Sequence, residues 1–177
     1  QIFLKVIQEA GKYKIDYFVM KGGSVFWALD QVNAELDSLR GMSEQLAFPK
    51  KLNLDDMLFR YGVRINYDLV ADMNCAQIPI SLAGSSDGGI QMVPWLFYPI
   101  FVPTSPHPLV KNLDGIRSEF ASTIDTIAVN GVRKSIILSS SPFSRKLSTP
   151  TLLSLQMLEQ EPDPKEFQSA PKSVGVV

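Results

Sequence analysis

The sequence predicts an α/β domain, a layered sheet with flanking helices, on three observations. Leu4, Ile7, Gly11, Ile15, Phe18 and Gly22 recur at steps of three and four, the spacing of one helical face, across residues 1–22. Gly22-Gly23 then supplies a stop, because glycine takes the left-handed conformation at low cost. The apolar run Ser24-Val-Phe-Trp-Ala-Leu29 that follows suits a strand buried on both faces. A second such run, Lys134-Ser-Ile-Ile-Leu-Ser-Ser140, lies far along the chain. Helices alternating with buried strands are the pattern of an α/β fold.

The first helix carries one weak point, Gly11, which costs about 1 kcal/mol relative to alanine. Residues 31–52 are mixed and read as loop-rich. Asn53 is placed to cap a helix over Leu54–Tyr61, with Asp55 and Asp56 in its electropositive first turn and Leu54, Met57, Leu58 and Tyr61 as its apolar stripe. Gly62 ends that helix and Val63-Arg-Ile65 restarts an extended chain. Gly84–Gly89 is a loop of turn formers. Gln91–Pro103 contains Pro94, Pro99 and Pro103, which cannot donate to a ladder, so it reads as an edge strand or a kinked extended segment. Ser105-Pro-His-Pro108 is a turn. Thr151–Leu158 fits helix or strand, Glu161-Pro-Asp-Pro164 breaks it, and Ser173–Val177 reads as a last strand.

The chain has 177 residues, 45% of them apolar and 20% charged, proportions of a globular chain. That length suits one domain, residues 1–177, burying about 70% of the surface its unfolded form exposes. Seventeen Lys and Arg against 18 Asp and Glu leave a formal charge of −1, which disfavours nucleic acid as a partner. One cysteine and one histidine exclude an intrachain disulfide and a site built on two histidines. No apolar run reaches the ~18 residues of a membrane span. The chain starts at Gln1 rather than methionine and is expected to be a fragment of a longer one.

Six phrases point further: Lys12–Gly23, Leu52–Ile65, Val93–Pro99, His107–Leu113, Phe120–Asp125 and Leu138–Arg145. In this order they resemble the gliding-motility-associated auxiliary components of ABC-2 type exporters, the GldG-like family. The resemblance implies a fold similar to the class I glutamine amidotransferase-like fold. It implies a non-enzymatic, extracytoplasmic (periplasmic) domain held by membrane anchors outside this segment. The implied partners are an ABC transporter permease and, through it, an ATPase. The family pattern fits residues 1–11 less well and implies two segments joined before Lys12.

The residues themselves offer little chemistry, and the reading assigns no catalytic residue, cofactor or metal. A thiol nucleophile needs a base and a tight elbow. Cys75 has no small-residue elbow, and His107 is held between Pro106 and Pro108. Ser139–Arg145 ends a strand, where α/β sheets bind ligands. Ser140, Ser141, Ser144 and Arg145 could hold an anion there, or simply form a Ser/Pro turn with locally satisfied hydroxyls. A hydrolase or amidotransferase-like enzyme using that crevice or Cys75 is the rival reading. No phosphate-loop motif occurs, so nucleotide hydrolysis belongs to another subunit. Trp95, Phe97, Tyr98 and Phe101 concentrate aromatic surface suited to a core or to an interface. Strand alternation would divide them, with Trp95 and Tyr98 as partner contacts and Tyr98 in the more exposed set.

Overall fold

The computed structural model describes residues 6–81, 89–103, 105–159 and 162–177. Its helices are α1 (Glu9–Met20), α2 (Leu36–Met42) and α3 (Asp55–Arg60). Its strands are β1 (Val32–Asn33), β2 (Glu44–Pro49), β3 (Val63–Ile65), β4 (Asp68–Asp72), β5 (Cys75–Ser81), β6 (Ile90–Phe101), β7 (Ile116–Arg117), β8 (Ile124–Thr126), β9 (Ile136–Ser139), β10 (Ser144–Ser148), β11 (Thr151–Ser154) and β12 (Ser173–Val176). The α/β composition agrees with the sequence. The layered arrangement does not: the strands form small antiparallel sheets, β1-β2-β11, β10-β4, β12-β9, β3-β8 and β5-β6-β7. A large sheet of the amidotransferase-like kind is not found among the described residues.

β4 is the innermost strand. All five of its residues, Asp68-Leu-Val-Ala-Asp72, are buried. It pairs with β10 along one edge, Ser144 opposite Asp72 and Ser148 opposite Asp68. On the other edge the Val70 amide donates to the Ala121 carbonyl at 2.8 Å. Leu69 and Ala71 join the main core with Leu39, Ala47, Ile78, Trp95, Phe97, Leu153 and Phe167. A second, smaller core gathers around α3: Leu52, Leu54, Met57 and Leu58, with Ile7, Ile15, Trp27 and Leu29 against them.

Several expectations need correction. The first helix is shorter than residues 1–22 on the described part, beginning at Glu9, though it does end at Gly22, whose φ is +89°. Ser24–Leu29 is no buried strand: it lies outside every strand, and Phe26 is 93% exposed. Residues 31–52 are more ordered than their mixed composition suggests, holding β1, α2 and β2. Asn53 does not cap α3. Its φ is +58°, and Leu54 occupies the cap position without a side-chain bond. Gly62, φ +81°, ends α3 as expected. The strand over 134–140 forms as β9, at the surface rather than in the core, paired with the expected last strand β12. Thr151–Leu158 divides into β11 and a single 3₁₀ turn. Residues 84–88 and 161 lie outside the described residues.

The proline-rich segment is central, not an edge. β6 pairs with β5 on one side and β7 on the other. Its prolines are tolerated because the ladder is irregular where they sit, with a register shift between Cys75↔Pro99 and Gln77↔Pro94. Pro99 still serves as an acceptor, receiving the Ser118 amide at 2.9 Å, and Phe97 receives that of Phe120 at 2.8 Å. Trp95, Phe97, Pro99 and Phe101 form the buried face. The ring of Trp95 meets Phe97 edge-on at 5.2 Å between centroids.

Tyr98 is buried as well, against expectation. Phe120 packs edge-on to it at 5.6 Å, and the Arg117 guanidinium covers its ring at 5.6 Å. Burial first, then Glu119, pushes its hydroxyl up to about 12. The aromatic segment is therefore core, and neither Trp95 nor Tyr98 offers a partner surface. Tyr98→Ala should destabilise the protein by ~3–5 kcal/mol, the cost of truncating a large buried aromatic. Urea denaturation checks this, and a loss below about 1 kcal/mol would mean that the ring is not packed as described.

Candidate functional site

Three places could carry function: the serine cluster, the α1–α3 junction and a cleft beside α3. The serine cluster forms where β9 runs out and β10 begins, against the end of β4. At its centre lies Asp72, fully buried. Its carboxylate accepts the Ser141 hydroxyl at 2.6 Å, the Ser141 amide at 2.7 Å and the Asn74 amide at 2.9 Å. Ser140 and Ser144 share a hydrogen bond at 2.7 Å. Ser144 Oγ donates to the Ser141 carbonyl at 2.8 Å, and the Lys172 amide donates to Ser140 Oγ at 2.8 Å. Every hydroxyl named in the sequence is thus brought together, but around a carboxylate of the protein itself. The cluster already holds an anion, and a second would meet its charge at short range.

Arg145, the expected anion partner, is drawn off the cluster. It pairs with Glu166 and lies over the Phe167 ring at 4.9 Å. Asp72 was the residue the sequence reading missed. The available signal was an apolar triplet bracketed by two acids, Asp68-Leu-Val-Ala-Asp72, in which the burial of the triplet carries its flanking carboxylates inward. Asp68 is handled in the same way, accepting the Thr123 amide at 2.8 Å and the Thr123 hydroxyl at 2.7 Å.

Cys75 begins β5 and is half-buried. Burial, then the Asp72 charge, pushes its thiol up, away from the reactive thiolate. His107 keeps to its own turn, its Nδ1 accepting the Leu109 amide at 3.3 Å. Among the described residues no group of three or more His, Cys, Asp or Glu could hold a metal.

At the α1–α3 junction Lys12 is 4% exposed and meets Glu9 at 2.7 Å and both Asp56 oxygens at 2.9 and 3.0 Å. Asn53 serves here, donating to the Ile7 carbonyl at 2.8 Å and to Glu9 at 3.1 Å. This explains its left-handed backbone: the side chain reaches outward to α1 and is spent there instead of on the α3 amides. Glu9, then Asp56, raises Lys12 above its ordinary value, and Lys12 lowers both carboxyls.

The cleft, about 390 Å³, is lined by Asp55, Leu58, Phe59, Arg64, Ile65, Asn66 and Tyr67. Asp55 accepts Gln31 at 2.9 Å and the Tyr67 hydroxyl at 2.7 Å. Burial first, then Asp55, pushes Tyr67 up to about 12. Arg64 is committed to Asp125 at 2.5 Å. A cleft whose polar groups are paired with one another can hold a molecule by shape and ring contact, and its hydroxyl–carboxylate pair, Tyr67 with Asp55, has the phenol pushed towards its neutral form.

Comparison with known proteins decides the family. The model of a family described as an ABC-type uncharacterized transport system matches residues 4–177. The chain belongs to this transport-system auxiliary family. No curated protein and no solved structure matches it. The role of this auxiliary domain is therefore within an ABC-type transporter.

Two outcomes follow from the geometry. Asp72→Ala strands the Ser141 amide and hydroxyl and the Asn74 amide inside the protein. It should cost about 3 kcal/mol or more, against about 1 kcal/mol for Ser141→Ala, as read by chemical denaturation. Equal losses would show that Asp72 does not organise the cluster. The junction responds to pH at both ends. The lowered carboxyls stabilise it above their unfolded values of 4.5 and 3.8, and this is lost as pH falls through the folded ones. The raised Lys12 stabilises it below 10.5, and this is lost as pH climbs past that value. Amide exchange in α1, corrected for intrinsic rates, should therefore speed up at both extremes, and Lys12→Met should flatten the profile between them. A profile unchanged by that substitution would place the α1 anchor elsewhere.

Proposed function

We propose that this auxiliary domain is of the GldG type: a non-enzymatic, extracytoplasmic domain that works beside the permease of an ABC-2 exporter and, through it, an ATPase. The observation that carries the reading is the family match along residues 4–177, together with the six phrases spread over the same stretch. The site geometry agrees with contact rather than chemistry. The serine hydroxyls are consumed by Asp72 and by one another, and the Cys75 thiol is pushed towards its inert form. The rival hydrolase or amidotransferase reading needs a free nucleophile, and neither group supplies one.

Contact falls to exposed apolar side chains, and these are dense near the start of the chain. Tyr13, Tyr17, Phe18 and Met20 stand out from α1, all more than half exposed. Aromatic anchors of this kind dominate interface energy when a partner desolvates them. Held by anchors outside this segment, the domain would present that face to the permease.

A single variant set tests this. With Cys75 changed to serine, a cysteine at Tyr13 should react with a membrane-impermeant thiol reagent on spheroplasts of cells making the whole protein. A photo-crosslinking residue at Tyr17 should join the permease of the same transport system. Labelling only after lysis would place the domain on the cytoplasmic side. Labelling without a crosslink would leave the location standing and remove α1 as the contact.

A further inference from the structure

Residues 24–30 present an unresolved contradiction between composition and environment. Val25, Phe26 and Trp27 are strand formers, Ala28 and Leu29 continue the apolar run, and the chain there lies outside every helix, strand and turn. Their side chains alternate as in a sheet. Trp27 and Leu29 are partly buried against the small core, and Gln31 is fully buried, while Phe26, Ala28 and Asp30 face outward. Yet no backbone amide or carbonyl from Ser24 to Asp30 bonds to another described backbone group. The next residue does: the Gln31 carbonyl accepts the Lys50 amide at 2.7 Å, one step before β1 pairs with β2. The segment is thus the unpaired continuation of β1 at the border of the β1-β2-β11 sheet.

An apolar segment that continues an edge strand and leaves its hydrogen-bonding groups open is a template for another strand. We propose that residues 24–30 pair with the same residues of a second copy of this chain, antiparallel about a two-fold axis. Charge selects both the partner and the direction. Lys21 precedes the segment and Asp30 ends it, both exposed and neither in an ion pair among the described residues. Antiparallel pairing sets the cationic end of each copy beside the anionic end of the other, and parallel pairing would set like beside like. A two-fold relation makes the contact self-complementary, so one strand supplies both sides of it. The axis falls at Phe26, 93% exposed in the single chain, so that Ser24 to Ala28 of the two copies lie opposite one another and Asp30 of each reaches the Lys21 end of the other. The two Phe26 rings would then cover one another.

Sedimentation equilibrium tests the pairing. The chain should reach twice its 19.6 kDa mass, and a peptide of residues 22–31 should return it to monomer. Ala28→Pro removes an amide that has no backbone partner in the single chain, and an extended residue before proline is already favoured. It should weaken the dimer at least about tenfold while the thermal midpoint read at a concentration low enough to hold the chain monomeric stays in place. Phe26→Ser should weaken it too, without touching the backbone. Three results would overturn the proposal: a monomer at the highest soluble concentration, a dimer indifferent to Ala28→Pro and to the peptide, or slow amide exchange of residues 24–30 in a monomer, which would mean that another part of the chain covers the strand.

Discussion

Two carboxylates buried at the ends of one strand organise this protein. Asp68 and Asp72 close the innermost strand, and each would be costly inside a core without donors. Each finds them on a different neighbouring segment: Asp68 on Thr123, Asp72 on Ser141 and Asn74. Charge-assisted bonds of this kind are worth more than neutral ones and fix direction as well as distance. The loops after β7 and β9 are therefore held to β4 at defined points. The aromatic wall of β6 packs beside that strand. The carboxylates thus add side-chain ties to the backbone bonds that already join β4 to β10 and to Ala121.

This arrangement also explains why the serine cluster looks functional in sequence and acts structurally in space. Hydroxyls gathered after a strand suit a ligand only if their protons point to an empty place. Here they converge on Asp72 and on carbonyls of their own turn. The Arg145 side chain, free to serve an anion in principle, is matched by Glu166 and Phe167 instead.

The readable parts of the sequence were those governed by local rules. Gly22 and Gly62 end helices because their own backbones turn left-handed there. Asp55 and Asp56 open α3 by complementing its dipole, and the short Val-rich stretch Ser173–Val177 supplies β12. The misread parts depend on distant partners. Asn53 has the right side chain for a cap but is taken by Ile7 and Glu9, more than forty positions away. The prolines of β6 argued for an edge, but a shifted register opposite Cys75 let the strand lie centrally. Tyr98 was assigned outward by alternation, which cannot foresee that Phe120 and Arg117 close over the other face. The Ser24–Leu29 run was recognised as a strand by composition, but its burial depended on a neighbour that the described residues do not provide.

The spacing of the buried carboxylates along the chain has a kinetic side. Thr123 lies 55 positions beyond Asp68, and Ser141 lies 69 beyond Asp72. A growing polypeptide presents β4 long before it presents Thr123 and Ser141, and only the Asn74 amide comes with it. During that interval both acids remain hydrated, and the apolar triplet between them cannot be withdrawn from water without them. Consolidation of the main core therefore waits for the second half of the chain, closing long loops at once rather than by local steps. Folds dominated by such non-local closure form slowly for their size. For this domain the period before residue 141 leaves the ribosome is when exposed β-forming segments are most available to the wrong partner.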